Sequence, residues 1–289
     1  MKIGVGLPAT IPNAPGNLVV EWAKKAESLE FSSLGIIDRI VYPNLESLIT
    51  LAAAAAVTNR IRLMTTILLA PVRETVLIAK QAATLDRISG GRLTLGLGIG
   101  GRKDDSEATG YRFETRGKRF EEQLRLMKKI WTGAALGERI GAVGPSPVQA
   151  GGPEILIGGH DPRAISRIGF WGDGYMSGSQ EPESASVIFR QVENSWSVNK
   201  RKGKPRLVCS FYFALGDRSK ELGEAYLKSY YQYDGTYAQR AAKSLLSDPE
   251  SIRKRISAID KIGADELIIW PCVPDIGQLD LLSQTISSS

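Results

Sequence analysis

Short apolar, β-rich runs alternate with segments of helical period along the whole chain. Residues 3–7, 33–38, 61–69, 93–99, 154–159, 173–176, 206–215 and 266–270 read as strands. Residues 18–29, 46–57, 75–88, 116–131, 162–170, 181–201, 219–233, 249–262 and 276–286 read as helices. The spacing over 75–88 places Leu77, Ile78, Ala82, Leu85 and Ile88 on one apolar side, and Ser89, Gly90 and Gly91 stop the helix. Asp161 followed by Pro162 is a specific helix start, a capping carboxylate before a proline at the first helical position. The stretches 102–115, 133–152 and 234–247 show little periodicity and read as a polar loop, a surface connection and a less regular segment.

Eight strands alternating with helices over 289 residues predict one (β/α)8 TIM barrel domain, α/β in class, spanning residues 1–289. In that fold the chemistry lies at the C-terminal ends of the strands. Those ends carry Asp38 with Arg39, Thr66 with Ile67, Gly98 with Gly100 and Gly101, Gly158 with Gly159 and His160, and Ser177 with Gly178 and Ser179. Gly96, Gly98 and Gly101 also fit the spacing G-x-G-x-x-G of a dinucleotide-binding turn. Such a turn opens directly into a helix, whereas a polar loop is expected here. The glycines are therefore read as letting a flat ligand approach the backbone, with a barrel bend as the plainer alternative.

Charge and composition narrow the chemistry. The chain carries +6 at neutral pH, but Lys and Arg are scattered among acids with no aromatic–basic stripe, which argues against nucleic acid. Cys209 and Cys272 lie inside apolar runs and read as buried free thiols of a reducing compartment. No stretch has the length of a membrane span or the pattern of a signal peptide, so a cytoplasmic protein is expected. With His160 the sole histidine and no carboxylate pair at the strand ends, no metal site is expected. An apolar pocket floored by glycines suits a planar cofactor that brings its own reactivity. Backbone N–H groups of Gly158 and Gly159, completed by Ser177, Gly178 and Ser179, are placed to cradle its phosphate, with His160 as a further phosphate ligand.

Joined patterns in one order then point to a family. They are IIDRIVYP (36–43), LAAAAAVTNRIRL (51–63), LLAPVRETVLIAKQAATLDRISGGRLTLGLGIGGRKDD (68–105), RFETRGKRFEEQL (112–124), GGPEILIGGH (151–160) and WGDGYMSG (171–178). Over nearly its full length the chain resembles the bacterial luciferase-like flavin-dependent oxidoreductases, (β/α)8 barrels that use reduced FMN or the deazaflavin F420. The resemblance implies a non-proline cis peptide between Thr66 and Ile67 behind the middle ring of the flavin. It puts Gly98 and Gly100 beside the ring system, with Gly101 in the same turn, and Gly158 and Gly159 at the phosphate end. Asp38 and Arg39 become the candidate catalytic pair, where many F420-using members carry Asp then His. Departures limit the analogy: Gly101 stands where the sugar-phosphate dehydrogenase branch has a catalytic Glu, while Ile99 and Gly98 replace an Arg and a reactive Cys of luciferase proper, so light emission is not implied. The expected activity is hydride transfer to, or oxygenation of, a small organic substrate, with F420 slightly favoured over FMN by the Arg-free glycine turn. The alternatives are an FMN-dependent monooxygenase fed by a separate flavin reductase and a non-catalytic flavin-binding barrel. A homodimer is expected, with the Ala-rich helix at 46–57 as one candidate contact.

Overall fold

The structure is a computed structural model that describes residues 1–288. In chain order the elements begin β1 (Lys2–Gly6), α1 (Leu18–Ser28), β2 (Ser33–Ile36), α2 (Ser47–Ala56), β3 (Arg62–Leu69), α3 (Thr75–Ile88), β4 (Leu93–Gly98), α4 (Lys103–Thr109) and α5 (Arg116–Trp131). They continue through β5 (Ala135–Gly137), β6 (Ile140–Ala142), β7 (Glu154–Gly158), α6 (Pro162–Trp171), β8 (Gly174–Ser179) and α7 (Pro182–Val198). The last are β9 (Arg206–Phe213), α8 (Ser219–Tyr230), α9 (Gly235–Lys243), α10 (Pro249–Lys261), β10 (Glu266–Pro271) and α11 (Gly277–Ser287). The strands close into a barrel in the order β1-β10-β9-β8-β7-β4-β3-β2, every pairing parallel, as the sequence predicts.

The period of two along each strand sorts the core into two parts. Leu207, Cys209, Phe211 and Phe213 of β9 belong to the layer between strands and helices, while Val208 and Tyr212 share a second cluster with Met64, Leu156, Ile268 and Trp270 inside the barrel. Trp270 has room there because Gly6 and Gly35 face it: a Cβ on Gly6 would stand 2.1 Å from the indole ring. At the N-terminal end the inner layer is polar. Arg206 bridges Glu154 and Glu266, Ser32 and Ser33 donate to Glu266, and Thr94 donates to Glu154 at 2.8 Å while accepting from Arg62. Glu266 is buried and the other charges are half-buried, and apart from Arg62 Nε they are cross-bonded, which is the condition under which an interior tolerates them.

Three stretches depart from the sequence reading. The expected polar loop after Gly101 contains α4, starting two residues on, so a helix does follow the glycine turn. A dinucleotide-binding open sheet is excluded instead by the closure of the barrel. The connection at 133–152 contains the antiparallel hairpin β5–β6, and the segment at 234–247 contains α9, capped by Asp234 on the Tyr237 amide. On α3 the buried side is Ile78, Ala79, Ala82, Ala83 and Leu85, whereas Leu77 and Ile88 are 56% and 55% exposed.

Candidate active site

The strands bring their C-terminal ends to one side of the barrel, and part of that side is filled by aromatic packing. Tyr212, Tyr226 and Tyr230 join the interior cluster with Trp270, and Tyr42 and Tyr231 pack against it. Tyr42 meets Tyr230 edge-on at 5.0 Å, Tyr230 meets Tyr231 at 4.8 Å, and Tyr231 hydrogen-bonds Tyr212 hydroxyl to hydroxyl. Arg102, just past β4, donates to the Tyr230 carbonyl at 2.7 Å and stacks 3.7 Å over the Tyr233 ring, tying the β4 end to the loop after α8.

The open space lies to one side of this packing, over β7, β8 and β9. It is a cavity of about 870 Å³. Gly159 and His160 border it after β7, and Gly178 and Ser179 at the end of β8. Gln180, Glu181 and Ser184 lead from there into α7, Tyr212 comes from β9, and α9 supplies Tyr237, Arg240 and Lys243. A Cβ on Gly178 would stand in open space, so this backbone is accessible to a ligand. The Oε1 of Gln180 is buried without a partner, an acceptor that a bound donor would satisfy. The lining is largely apolar, as expected from sequence, with these few polar groups set into it.

The sequence-derived residues separate into two groups. Gly159, His160, Gly178 and Ser179 line the cavity together. Gly158 and Ser177, expected with them at the phosphate end, do not: Gly158 faces Ile67, and Ser177 is buried with its hydroxyl donating to the Gly178 carbonyl. Asp161 caps α6 as expected, accepting from the Arg163 and Ala164 amides. Those two amides are thereby taken and are not free to bind an anion.

The second group surrounds a bulge in β3. The Thr66–Ile67 peptide is cis, and the pairing of β3 with β4 shifts between Thr65 and Leu68. A Cβ on Gly98 would stand 1.9 Å from Ile67 Cδ1, and one on Gly158 would stand 3.1 Å from Ile67 Cγ2. The missing side chain at Gly98 is therefore filled by Ile67, not left open to a ligand, which corrects the sequence reading of that glycine. Gly100 adopts a positive φ of 72° facing Leu69, and Gly101 faces open space.

Asp38 and Arg39 are buried, and neither pairs with the other. Asp38, 2% exposed, accepts from the Leu69 amide at 2.9 Å, from Ser47 Oγ at 2.9 Å and from Arg73 at 2.7 Å. Arg39 donates to Asp105 at 2.9 Å, to Asp104 at 3.2 Å and to the Val41 carbonyl, while its Nη1 is buried without a partner. Asp38 thus fixes the end of β3 beside the bulge, and Arg39 fixes α4.

Sequence reasoning missed the phenols of the cavity wall. Burial raises Tyr212 well above the ordinary phenol value and pushes Tyr175 up to about 12, the latter moderated by a bond with Ser177. Both remain neutral hydrogen-bond donors across the physiological range. Cys209, pushed up to about 12 by burial, has no nucleophilic thiolate to offer. Tyr212 sits in an apolar strand run, where only the register of the closed barrel reveals that it points inward.

Comparison with known proteins places this architecture. The family model described as luciferase-like monooxygenase matches residues 1–270. An uncharacterized protein of Mycobacterium tuberculosis is 31% identical over 200 residues, 59% of this chain and 68% of that protein. A 5,10-methylenetetrahydromethanopterin reductase of Methanolobus tindarius is 28% identical over 193 residues, 63% of this chain and 56% of its own length. Among solved structures, the monooxygenase RslO1 of Streptomyces bottropensis superimposes with a TM-score of 0.81 at 21% identity, covering 100% of this chain and 98% of that one. An F420-dependent secondary alcohol dehydrogenase in complex with an F420–acetone adduct does so with 0.80 at 16% identity, covering 99% and 98%. The oxygenating constituent of 3,6-diketocamphane monooxygenase of Pseudomonas putida in complex with FMN does so with 0.78 at 18% identity, covering 100% and 98%. At these identities the structural matches establish the barrel, and the family model carries the assignment: the chain belongs to the luciferase-like monooxygenase family.

Proposed function

We propose that the protein is an oxidoreductase that uses reduced F420 or FMN to reduce or oxygenate a small organic substrate. The observation that carries this reading is the cavity of about 870 Å³ at the ends of β7–β9, large enough for a tricyclic cofactor and a small partner. Gly159, Gly178 and Ser179 would hold the phosphate end, with His160 beside it. Thr66 and Ile67, outside the cavity lining and packed against Gly98, would support the ring system, as the family resemblance implies. When bound, the reduced cofactor supplies a hydride, or the electrons that activate oxygen. The protein's own groups then position and shield: Asp38 holds the Leu69 amide and Arg73, Arg39 anchors α4, and Tyr212 offers a neutral hydroxyl to an acceptor on the substrate.

The glycine turn Gly98–Gly101, free of arginine, favours F420 over FMN in this reading. The second reading is an FMN-dependent monooxygenase supplied by a separate reductase, supported by the FMN-bound relative. Fluorescence titration with each cofactor separates them: F420 is expected to be quenched at lower protein concentration than FMN. Tight binding of FMN alone would overturn the preference for F420, and binding of either with no turnover of any acceptor would favour a storage barrel. We further infer a homodimer formed through the outer face of α2 and α3, where Ile49 is 72% exposed and stands beside the small Ala52 and Ala53, with Leu77 on the neighbouring helix.

A further inference from the structure

The ring packing at the barrel mouth extends well beyond the cavity wall. Residues 230–237 read YYQYDGTY, and the turn from α8 into α9 gathers these phenols around Tyr231. Centroid to centroid, Tyr231 lies 4.8 Å from Tyr230, 4.7 Å from Tyr237, 6.3 Å from Tyr212 and 6.4 Å from Tyr233. Tyr230 extends the group to Tyr42 at 5.0 Å and to Tyr226 at 5.9 Å, so seven of the nine tyrosines form one cluster. Its ends differ in exposure: Tyr212 and Tyr237 line the cavity, whereas Tyr233 is 54% exposed.

Packing does not explain the hydroxyls. No phenylalanine joins this interior cluster among the described residues, although Phe211 and Phe213 flank Tyr212 on the other face of β9. A phenylalanine would fill each ring position without burying a polar atom. The cost of keeping the hydroxyl is visible at Tyr42, whose Oη is buried without a partner. Ligand binding does not explain them either, because Tyr42, Tyr226, Tyr230 and Tyr231 lie outside the cavity lining. What a phenol has and a phenyl ring lacks is a hydroxyl proton that can leave together with one electron.

We propose that this cluster is a one-electron relay that carries an oxidising equivalent from the cavity to the surface at Tyr233. The oxidant is an oxygen-derived radical of the class formed where a reduced flavin meets oxygen, and the relay rests on the proposed function only for that source. A hydroxyl radical in the cavity takes an electron and a proton from Tyr212, breaking its O–H bond, and becomes water. Tyr231, bonded to Tyr212 hydroxyl to hydroxyl, passes its hydrogen atom to the Tyr212 oxygen and restores that phenol. Tyr233 then gives an electron to Tyr231 across the ring contact and its own proton to water, while the proton that Tyr231 regains returns from the cavity through the Tyr212 hydroxyl. The radical comes to rest at the exposed phenol because only there does the proton leave to water. A soluble thiol or ascorbate completes the cycle by returning a hydrogen atom to Tyr233.

The test uses no flavin. A ruthenium tris-bipyridyl label is attached at Ser184→Cys on the cavity lining and, as a control, at Ser287→Cys beside Lys2 at the opposite pole. The native Cys209 and Cys272 are 3% and 1% exposed and stay unlabelled. Flash oxidation with a cobalt(III) acceptor produces ruthenium(III) at either place, and a nitroso spin trap read by peptide mass spectrometry shows where the radical stops. With the cavity label the adduct is expected on Tyr233, and with the control label Tyr233 should carry only background. Tyr231→Phe keeps the ring but removes the hydrogen atom, so the adduct on Tyr233 should fall to background while the tyrosyl absorption persists inside. Tyr233→Phe changes an exposed ring and keeps the endpoint readable if Tyr231→Phe does not fold: the adduct should vanish with the tyrosyl yield unchanged. Equal adduct on Tyr233 in wild type and Tyr231→Phe overturns the relay, as does the absence of any tyrosyl radical with the cavity label. A chain that relays from ruthenium but binds neither F420 nor FMN would keep the relay and lose the flavin reading.

Discussion

Gly98 shows how a single missing methyl group shapes the site. Its Cβ position is occupied by Ile67 Cδ1, and Gly96 beside it faces the Thr65 carbonyl, where a Cβ would stand 2.0 Å from the oxygen. The two clashes differ in kind, because Ile67 can change rotamer whereas the Thr65 backbone is fixed by its strand partners. Gly98→Ala should therefore cost about 1–3 kcal/mol, and Gly96→Ala more. Replacing Ile67 by Val removes the offending Cδ1, so the double variant Gly98→Ala/Ile67→Val should be more stable than the sum of its parts by roughly 1 kcal/mol. Chemical denaturation of the four proteins of that cycle checks this; strict additivity would show that Ile67 does not fill the glycine. The presence of glycine at this strand end was visible in the sequence, but what it accommodates was not, since only the folded register brings residue 67 against residue 98.

Between elements, the carboxylate of Glu27 joins α1 to the loop that enters β3. It accepts from the amides of Asn59 at 2.8 Å, Arg60 at 3.1 Å and Ile61 at 3.1 Å. Partial burial acts to raise its pKa, but the three amides and the nearby Arg92 outweigh it and the net shift is below 4.5. A depressed carboxylate adds stability that is fully present above its unfolded value and disappears as pH falls through the folded one. Glu27→Gln should accordingly lose about 1 kcal/mol at pH 7, and its stability should converge with that of the wild type in acid. Urea unfolding between pH 7 and pH 3 measures both; curves that stay parallel would remove Glu27 from the acid response. At this scale the eight barrel strands were readable because each is a compact apolar run between polar breaks. The helices that escaped reading lack that contrast. In α4 the run KDDSEAT has no apolar stripe, and α9 buries only Ala238, Ala241 and Ala242. The cavity wall was missed along with α9, and its cations with it.

For the molecule as a whole, the outward apolar residues of α2 and α3 give the inferred dimer a location. Ile49→Asp with Leu77→Asp should leave the barrel folded and convert the species seen by light scattering after size exclusion from twice 31.4 kDa to one copy. A wild type that already runs as one copy would refute the contact. The opposite pole of the barrel has a different consequence. Arg206, Glu154, Glu266, Arg62 and Thr94 cross-link its inner layer with charge, so that end of the barrel is tied together among the described residues. In the proposed function, cofactor and substrate would then share the mouth over β7–β9, and each would be screened from bulk water partly by the other.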